Sequence, residues 1–325
     1  MLIAEGVKVQ CIVTSPPYWG LRDYGVAGQL GLEPTLPEFL ANMVEVFDLC
    51  RELLADDGTL WLNMGDSYAA NRGIQPAPTN TRNKSGHAGG QRVSDGLKAK
   101  DLVGQPWRLA FALQDAGWWL RQDIIWHKPN PMPESVRDRC TKAHEYLFLM
   151  TKSERYFYDF DAMQEPVTGG AHARGAGVNP KATPSGWDTS TGGHRNLTGR
   201  YPGTGVGFGR GFDKVAKPRV KQNASFSAAV KDLVDTRNRR SVWTIPTQSF
   251  DGAHFATFPE ALVEPCVLAG SRPGDVVFDP FMGSGTVAQV ASRLGRHYLG
   301  CELNPEYFAL QRDRTRQPGL QLETA

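Results

Sequence analysis

The sequence predicts an α/β protein: a doubly wound, mostly parallel sheet interrupted by one long insertion. Three observations carry that prediction. Short apolar, β-branched runs alternate with helical patterns along the 325 residues, as in chains built from β-α-β units. A glycine-rich turn joins one such run to a helix near the carboxyl end. Between the patterned regions, from about 164 to 240, the chain turns to Gly, Arg, Lys, Ser and Thr with few aliphatics, too little apolar content for a core of its own.

The elements follow in order. Val9–Thr14 is a buried strand that ends at two prolines. Pro37–Leu54 places Phe39, Leu40, Met43, Val44, Phe47, Leu53 and Leu54 at helical spacing, with Asp56-Asp57-Gly58 as its stop. Thr59–Met64 is the next strand. Residues 71–100 are polar and basic, and read as a long mobile loop. Trp107–Ala116 is a helix and Leu120–His127 a strand. Tyr146–Thr151 and Tyr156–Tyr158 read as a β-hairpin about Lys152–Arg155. Val276–Asp279, Val287–Leu294 and His297–Glu302 form a β-loop-α-β unit. Asn304-Pro305-Glu306 caps a last helix, with Pro305 at its first position. The expected divisions are 1–163, 164–240 and 241–325.

Composition narrows the function. A hydrophobic share of 40% supports a real core, and a net charge of only +2 means that any nucleic-acid surface must be local. The five cysteines contain no C-x-x-C pair, which argues against a zinc site or a disulfide framework and fits a reducing cytosol. No run is long and apolar enough to span a bilayer, and Met1 opens no signal-peptide pattern. The expectation is a cytoplasmic protein with no membrane partner and no metal.

Asp279-Pro280-Phe281-Met282-Gly283-Ser284-Gly285-Thr286 links strand to helix. Its glycines allow a ligand close to the backbone amides. No Gly-Lys-Ser/Thr follows, and the third glycine of a dinucleotide fingerprint is missing, so a pyrophosphate is not implied. Glu302 ends the next strand, where a carboxylate accepts hydrogen bonds from ribose hydroxyls. Together with Asp279, this favours a nucleoside ligand.

At the other end stands Thr14-Ser15-Pro16-Pro17-Tyr18-Trp19. The prolines carry no amide hydrogen, so the turn offers mainly acceptors, held still, which suits a partner bearing an NH2 group. An exposed Tyr18 and Trp19 would be costly unless bound. Tyr18 offers a face on which a flat ring stacks, worth roughly 1–3 kcal/mol for a nucleobase. An exocyclic amine is a poor nucleophile until acceptors grip its hydrogens, and a base inside a duplex must first be flipped out.

These two stretches resemble the amino-methyltransferases of DNA, in the β-type arrangement where the catalytic segment precedes the S-adenosylmethionine segment. Further blocks are similar to that family in the same order: 102–108, Gly117–Lys128, Pro129–Val136, His144–Lys152 and His254–Pro265. The resemblance implies a Rossmann-like class I methyltransferase fold, circularly permuted, with a target-recognition region in the insertion. It implies S-adenosyl-L-methionine as cofactor and double-stranded DNA as partner, in a bacterial or phage-infected cell, with a homodimer and a cognate restriction endonuclease as further candidate partners. By it, Ser15, Pro16, Pro17 and Tyr18 are the catalytic tetrapeptide, in which Ser15 and Pro16 hold the target amine and Tyr18 stacks on the base. Asp279, Phe281, Gly283, Ser284, Gly285 and Thr286 surround the cofactor's methionine part, Glu302 takes the ribose, and Phe255, Thr257, Phe258 and Pro259 close over the cofactor. Only Met1–Lys8 precede the first strand, where relatives carry a further strand with an acid near the adenine; the nearest acid here is Glu5.

Serine at the head of the tetrapeptide points to cytosine N4, with adenine N6 as the alternative and a non-catalytic or RNA-directed protein as a more distant one. Cytosine C5 transfer needs a thiolate nucleophile; the one Pro-Cys pair, Pro265-Cys266, lies in an apolar helical pattern, so Cys266 reads as core. Asp66 either lines the pocket or caps a turn. His144-Glu145 suggests a structural hydrogen bond rather than a metal. Trp126, His127 and Lys128 end a strand at the catalytic edge. The basic residues of 71–100 and of the insertion are expected to meet phosphate and to order on binding.

Overall fold

The computed structural model describes residues 2–69, 96–166, 236–248 and 258–316. They fall into two compact units, one of Met1–Met163 with Arg239–Ala325 and one of Gln164–Asn238. In the second unit the described strands are β5 (Gln164–Pro166) and β6 (Thr236–Asn238), an antiparallel pair joined by the Arg237–Glu165 ion pair at 2.8 Å. The basic loop and most of the insertion lie outside the described residues. Lys98 and Lys100, at the loop's described end, pair with Asp101 and Asp138 at 3.1 and 2.6 Å.

The first unit is built on a seven-stranded sheet of β1 (Val9–Thr14), β2 (Leu54–Met64), β3 (Trp119–His127), β4 (His144–Thr151), β7 (Val242–Thr244), β8 (Val276–Asp279) and β9 (His297–Gly300), in the order β7-β3-β4-β2-β1-β8-β9. Only β4 runs against its neighbours. The mostly parallel α/β fold expected from the sequence is therefore the one observed. Side chains alternate between the two faces, and both are covered. Ile12, Leu60, Leu62, Phe148 and Met150 pack with α1 (Leu36–Leu53) and α2 (Gln105–Asp115). Cys11, Val13, Trp61, Leu147, Leu149 and Val277 pack with α3 (Glu260–Gly270) and α4 (Thr286–Arg293). Burial on both faces explains why these strands read as continuous apolar runs.

Helix α1 buries Leu36, Phe39, Met43, Phe47, Cys50 and Leu53 in one stripe, and the Thr35 hydroxyl caps it by accepting from the Glu38 amide at 3.3 Å. Three expectations need correction. Asp56-Asp57-Gly58 does not stop α1, which ends at Leu53; it bulges from β2, whose pairing jumps from Val9↔Leu54 to Cys11↔Thr59. Tyr146–Thr151 forms no hairpin with Tyr156–Tyr158. A strand buried from Leu147 to Thr151 needs partners on both edges, and β4 finds them in β2 and β3. The last helix, α5 (Tyr307–Thr315), starts two residues beyond Pro305, because Asn304 first closes a turn: its Oδ1 accepts from the Glu306 amide at 3.0 Å and its carbonyl from Tyr307 at 3.1 Å.

Candidate functional site

The two ends of the sequence meet inside the sheet. β1 and β8 are parallel neighbours, with Cys11 opposite Val277 and Ile12 opposite Phe278, so Thr14 and Asp279 reach the carboxyl edge together. The Thr14 hydroxyl donates to Asp279 Oδ1 at 2.7 Å, and the Phe281 amide donates to the same oxygen at 3.0 Å. Asp279 is 2% exposed. Burial pushes its carboxyl up to about 7, against the lowering pull of those two hydrogen bonds.

Beyond Asp279 the turn runs through Gly283 at φ +50° and Gly285 at φ +88°, left-handed values that favour glycine. Gly285 immediately precedes α4, so the positive end of that helix faces this edge. The Gly283 amide donates to Glu302 Oε2 and the Asn304 amide to Glu302 Oε1, each at 2.7 Å. Helix α5 braces the turn as well. Gln311 Nε2 donates to the Gly283 carbonyl at 2.8 Å, and Arg314 Nη1 donates to the hydroxyls of Ser284 and Thr286. Neither brace was visible in the sequence, since α5 has no buried residue to give it an apolar period. Phe258 is partly buried just ahead of α3 and packs against its apolar cluster. Phe255 and Thr257 lie outside the described residues.

At the end of β1, Pro16 is buried while Ser15, Pro17 and Tyr18 are partly buried. Trp19 is not an exposed plate: it is 2% exposed, its amide bonds to Gln105 Oε1 at 2.9 Å, and its indole N–H bonds to the Glu33 carbonyl at 2.9 Å. A tryptophan that satisfies its N–H behaves as a core anchor. Gln105 is fully buried and also donates to the Ser67 hydroxyl at 3.2 Å, which ties the turn to the start of α2. The Tyr18 hydroxyl donates to Glu145 Oε2 at 3.0 Å, and Lys128 forms an ion pair with Glu145 Oε1. Because β4 is antiparallel, its first residues, not its last, lie at the carboxyl edge. Burial and the Glu145 charge hold the Tyr18 phenol well above its ordinary value.

The remaining candidates resolve from their partners. The Asp66 carboxylate accepts from the amides of Ser67, Gly104 and Gln105 at 2.9–3.2 Å, so it caps the entry to α2. Burial nonetheless raises its pKa, those hydrogen bonds opposing. Cys266 is fully buried in α3, with its thiol held far above the ordinary value by burial, which is no setting for a nucleophile. Trp126 is buried and donates to the Ile245 carbonyl at 2.8 Å. Among the described residues no group of three or more His, Cys, Asp or Glu side chains could hold a metal, and no helix is long and apolar enough to cross a membrane.

The chain that carries this edge is similar to known proteins. The profile of the N6/N4 DNA methylase family matches residues 9–312. The Type II methyltransferases M.XycI of Xanthomonas campestris pv. cyanopsidis and M.Cfr9I of Citrobacter freundii are 45% and 44% identical over 308 residues, covering 94% of this chain and 81% of each relative. M.SmaI of Serratia marcescens is 43% identical over 306 residues, covering 94% of this chain and 83% of the relative. Among solved structures, the cytosine-N4-specific PvuII DNA methyltransferase aligns with a TM-score of 0.55 at 18% identity, covering 97% of this chain and 83% of its own. TTHA0409 of Thermus thermophilus, complexed with S-adenosyl-L-methionine, aligns at 0.53 and 22% identity, covering 97% and 88%. At such identities the structural matches speak for the fold.

Proposed function

The chain belongs to the N6/N4 DNA methylase family, and from that premise we propose that it transfers a methyl group from S-adenosyl-L-methionine to the N4 amine of a cytosine flipped out of duplex DNA. The observation that carries this reading is the Thr14–Asp279 hydrogen bond at 2.7 Å, which brings the acceptor corner and the glycine turn to one place. On this reading the chain is a permuted methyltransferase, in which the catalytic segment comes first.

The residues fit such a cofactor. Gly283 and Gly285 open the backbone to close approach, Asp279 offers a negative group to a cation, and Glu302, whose two oxygens each accept one amide, retains lone pairs for two ribose hydroxyls. When bound, S-adenosyl-L-methionine supplies an already activated methyl carbon. The chain's own work is then positioning and electrostatics. Ser15 and the Pro16 carbonyl grip the amine hydrogens and free the nitrogen lone pair, while Tyr18 receives the extruded ring. The amine nitrogen would take the methyl group from the sulfonium, which would leave as a neutral thioether, and the surplus amine proton would pass to solvent.

Serine at position 15, where an aspartate or asparagine heads the adenine-type tetrapeptide, supports cytosine over adenine N6. The proposed recognition region is 164–240, and a homodimer and a cognate restriction endonuclease are the proposed companions. The test is methylation of plasmid DNA followed by mass spectrometry of its nucleosides. N4-methylcytosine is expected; N6-methyladenine would overturn the cytosine assignment, and label on RNA or protein alone would overturn DNA as the substrate.

A further inference from the structure

Glu145 sits at the start of β4, 127 residues from Tyr18 in sequence, and accepts its phenol hydroxyl. Resting on the reading of Tyr18 as the surface that receives the target base, we propose that Glu145 is a positioning residue: with Lys128 as counter-charge, it fixes the Tyr18 ring in the orientation that base needs.

Four features of the corner support this. The backbone on both sides of Tyr18 is already immobile, with Pro16 and Pro17 before it and the Trp19 amide held by the buried Gln105 after it. The Tyr18 ring packs against the core, and its phenol also meets Ser15 and the Gly65 backbone; to these neutral contacts Glu145 adds a charge-assisted hydrogen bond, stronger than a neutral one. Gly65 leaves the necessary room: a Cβ there would stand 2.8 Å from Tyr18 Cε2 and 3.2 Å from Glu145 Cδ. Lys128 and Glu145 have side chains only 18% exposed, and the Lys128 ammonium also lies 4.2 Å from the centre of the Trp126 ring. An ion pair this buried adds little net stability compared with apolar side chains of the same size. Holding a neighbour in place is a reason to keep it that stability does not supply.

The test compares wild type with Glu145→Ala, Glu145→Gln, Tyr18→Phe and the Tyr18→Phe/Glu145→Ala pair, using the full chain on plasmid DNA. Cofactor affinity, measured by titration, reports that each variant is folded. Glu145→Ala is expected to lower kcat roughly tenfold or more while cofactor affinity and KM for DNA stay near wild type. Glu145→Gln recovers most of the rate, because the amide oxygen still accepts from Tyr18. The double variant falls by less than the product of the two single losses, because both changes break the same Tyr18–Glu145 hydrogen bond. The proposal is overturned if Glu145→Ala keeps a wild-type kcat, if Glu145→Gln is no better than alanine, or if the two losses multiply. A wild type that methylates no DNA overturns the parent reading and this one with it; an active wild type alongside an equally active Glu145→Ala overturns only the role of Glu145.

Discussion

Asp279 titrates near neutrality because burial holds its carboxyl up to about 7, above the ordinary aspartate value of 3.8. Between about pH 4 and pH 7 the folded chain therefore binds this proton more tightly than the unfolded chain does, so this group makes stability fall as pH rises through that window and level off above it. Asp279→Asn keeps an oxygen for Thr14 and Phe281 but cannot ionise. Its urea midpoint, relative to wild type, is expected to be higher at pH 8 than at pH 5; a gap that does not change with pH would contradict this. A cationic ligand beside Asp279 favours the ionised form, so cofactor affinity should rise with pH up to about 7 and then flatten, with the slope lost in Asp279→Asn when followed by titration calorimetry. At this scale the fold brings Ser15, Tyr18, Asp279 and Glu302, all singled out in the sequence, to one edge. The sequence hid the partners. Glu145 meets Tyr18 across 127 residues of chain, a contact that no local spacing encodes, and its Lys128 counter-charge comes from the end of the strand just before it.

Helix α3 meets the sheet through its last residue. A Cβ on Gly270 would lie 2.4 Å from Thr59 Oγ1, 2.7 Å from Cys11 Sγ and 3.0 Å from Trp61 Nε1, so the helix end presses directly onto β1 and β2. Overpacking of this kind costs about 1–3 kcal/mol, and Gly270→Ala is expected to lower stability by that order in chemical denaturation, with an unchanged midpoint counting against the close fit. Element types were largely legible because their periods were strong: the α1 stripe and the apolar β8 run fall within a residue of where the sequence puts them. Boundaries failed where a local signal had two meanings. Asp56-Asp57-Gly58 reads equally as a helix stop and as a bulge, and pairing with β1 decides it. The stretch 146–158 looked like a hairpin because adjacency in sequence suggested a partner that the sheet does not use.

At the scale of the whole first unit, β8 has its two sheet neighbours in β9, close behind it in sequence, and in β1, more than 260 residues ahead. The chain 239–325 alone therefore lacks one flank for β8 and the hydroxyl that bonds Asp279. It is expected to show little structure by circular dichroism and no cofactor binding, with both regained when 1–163 is supplied in trans; a fragment that binds cofactor by itself would show that β1 is dispensable. The alternation of strands and helices made the sheet legible, but not its order, since strand order depends on pairings that no window of sequence contains. That order also shapes how the protein emerges from a ribosome. β1 finds β2 within some fifty residues, and then waits with its other edge bare while the more than 260 residues that separate it from β8 are made. Through that interval a short apolar ribbon stands open to whatever passes, so slow synthesis or a stalled carboxyl end should drive this protein towards chaperones and inclusion bodies more readily than its finished fold would suggest.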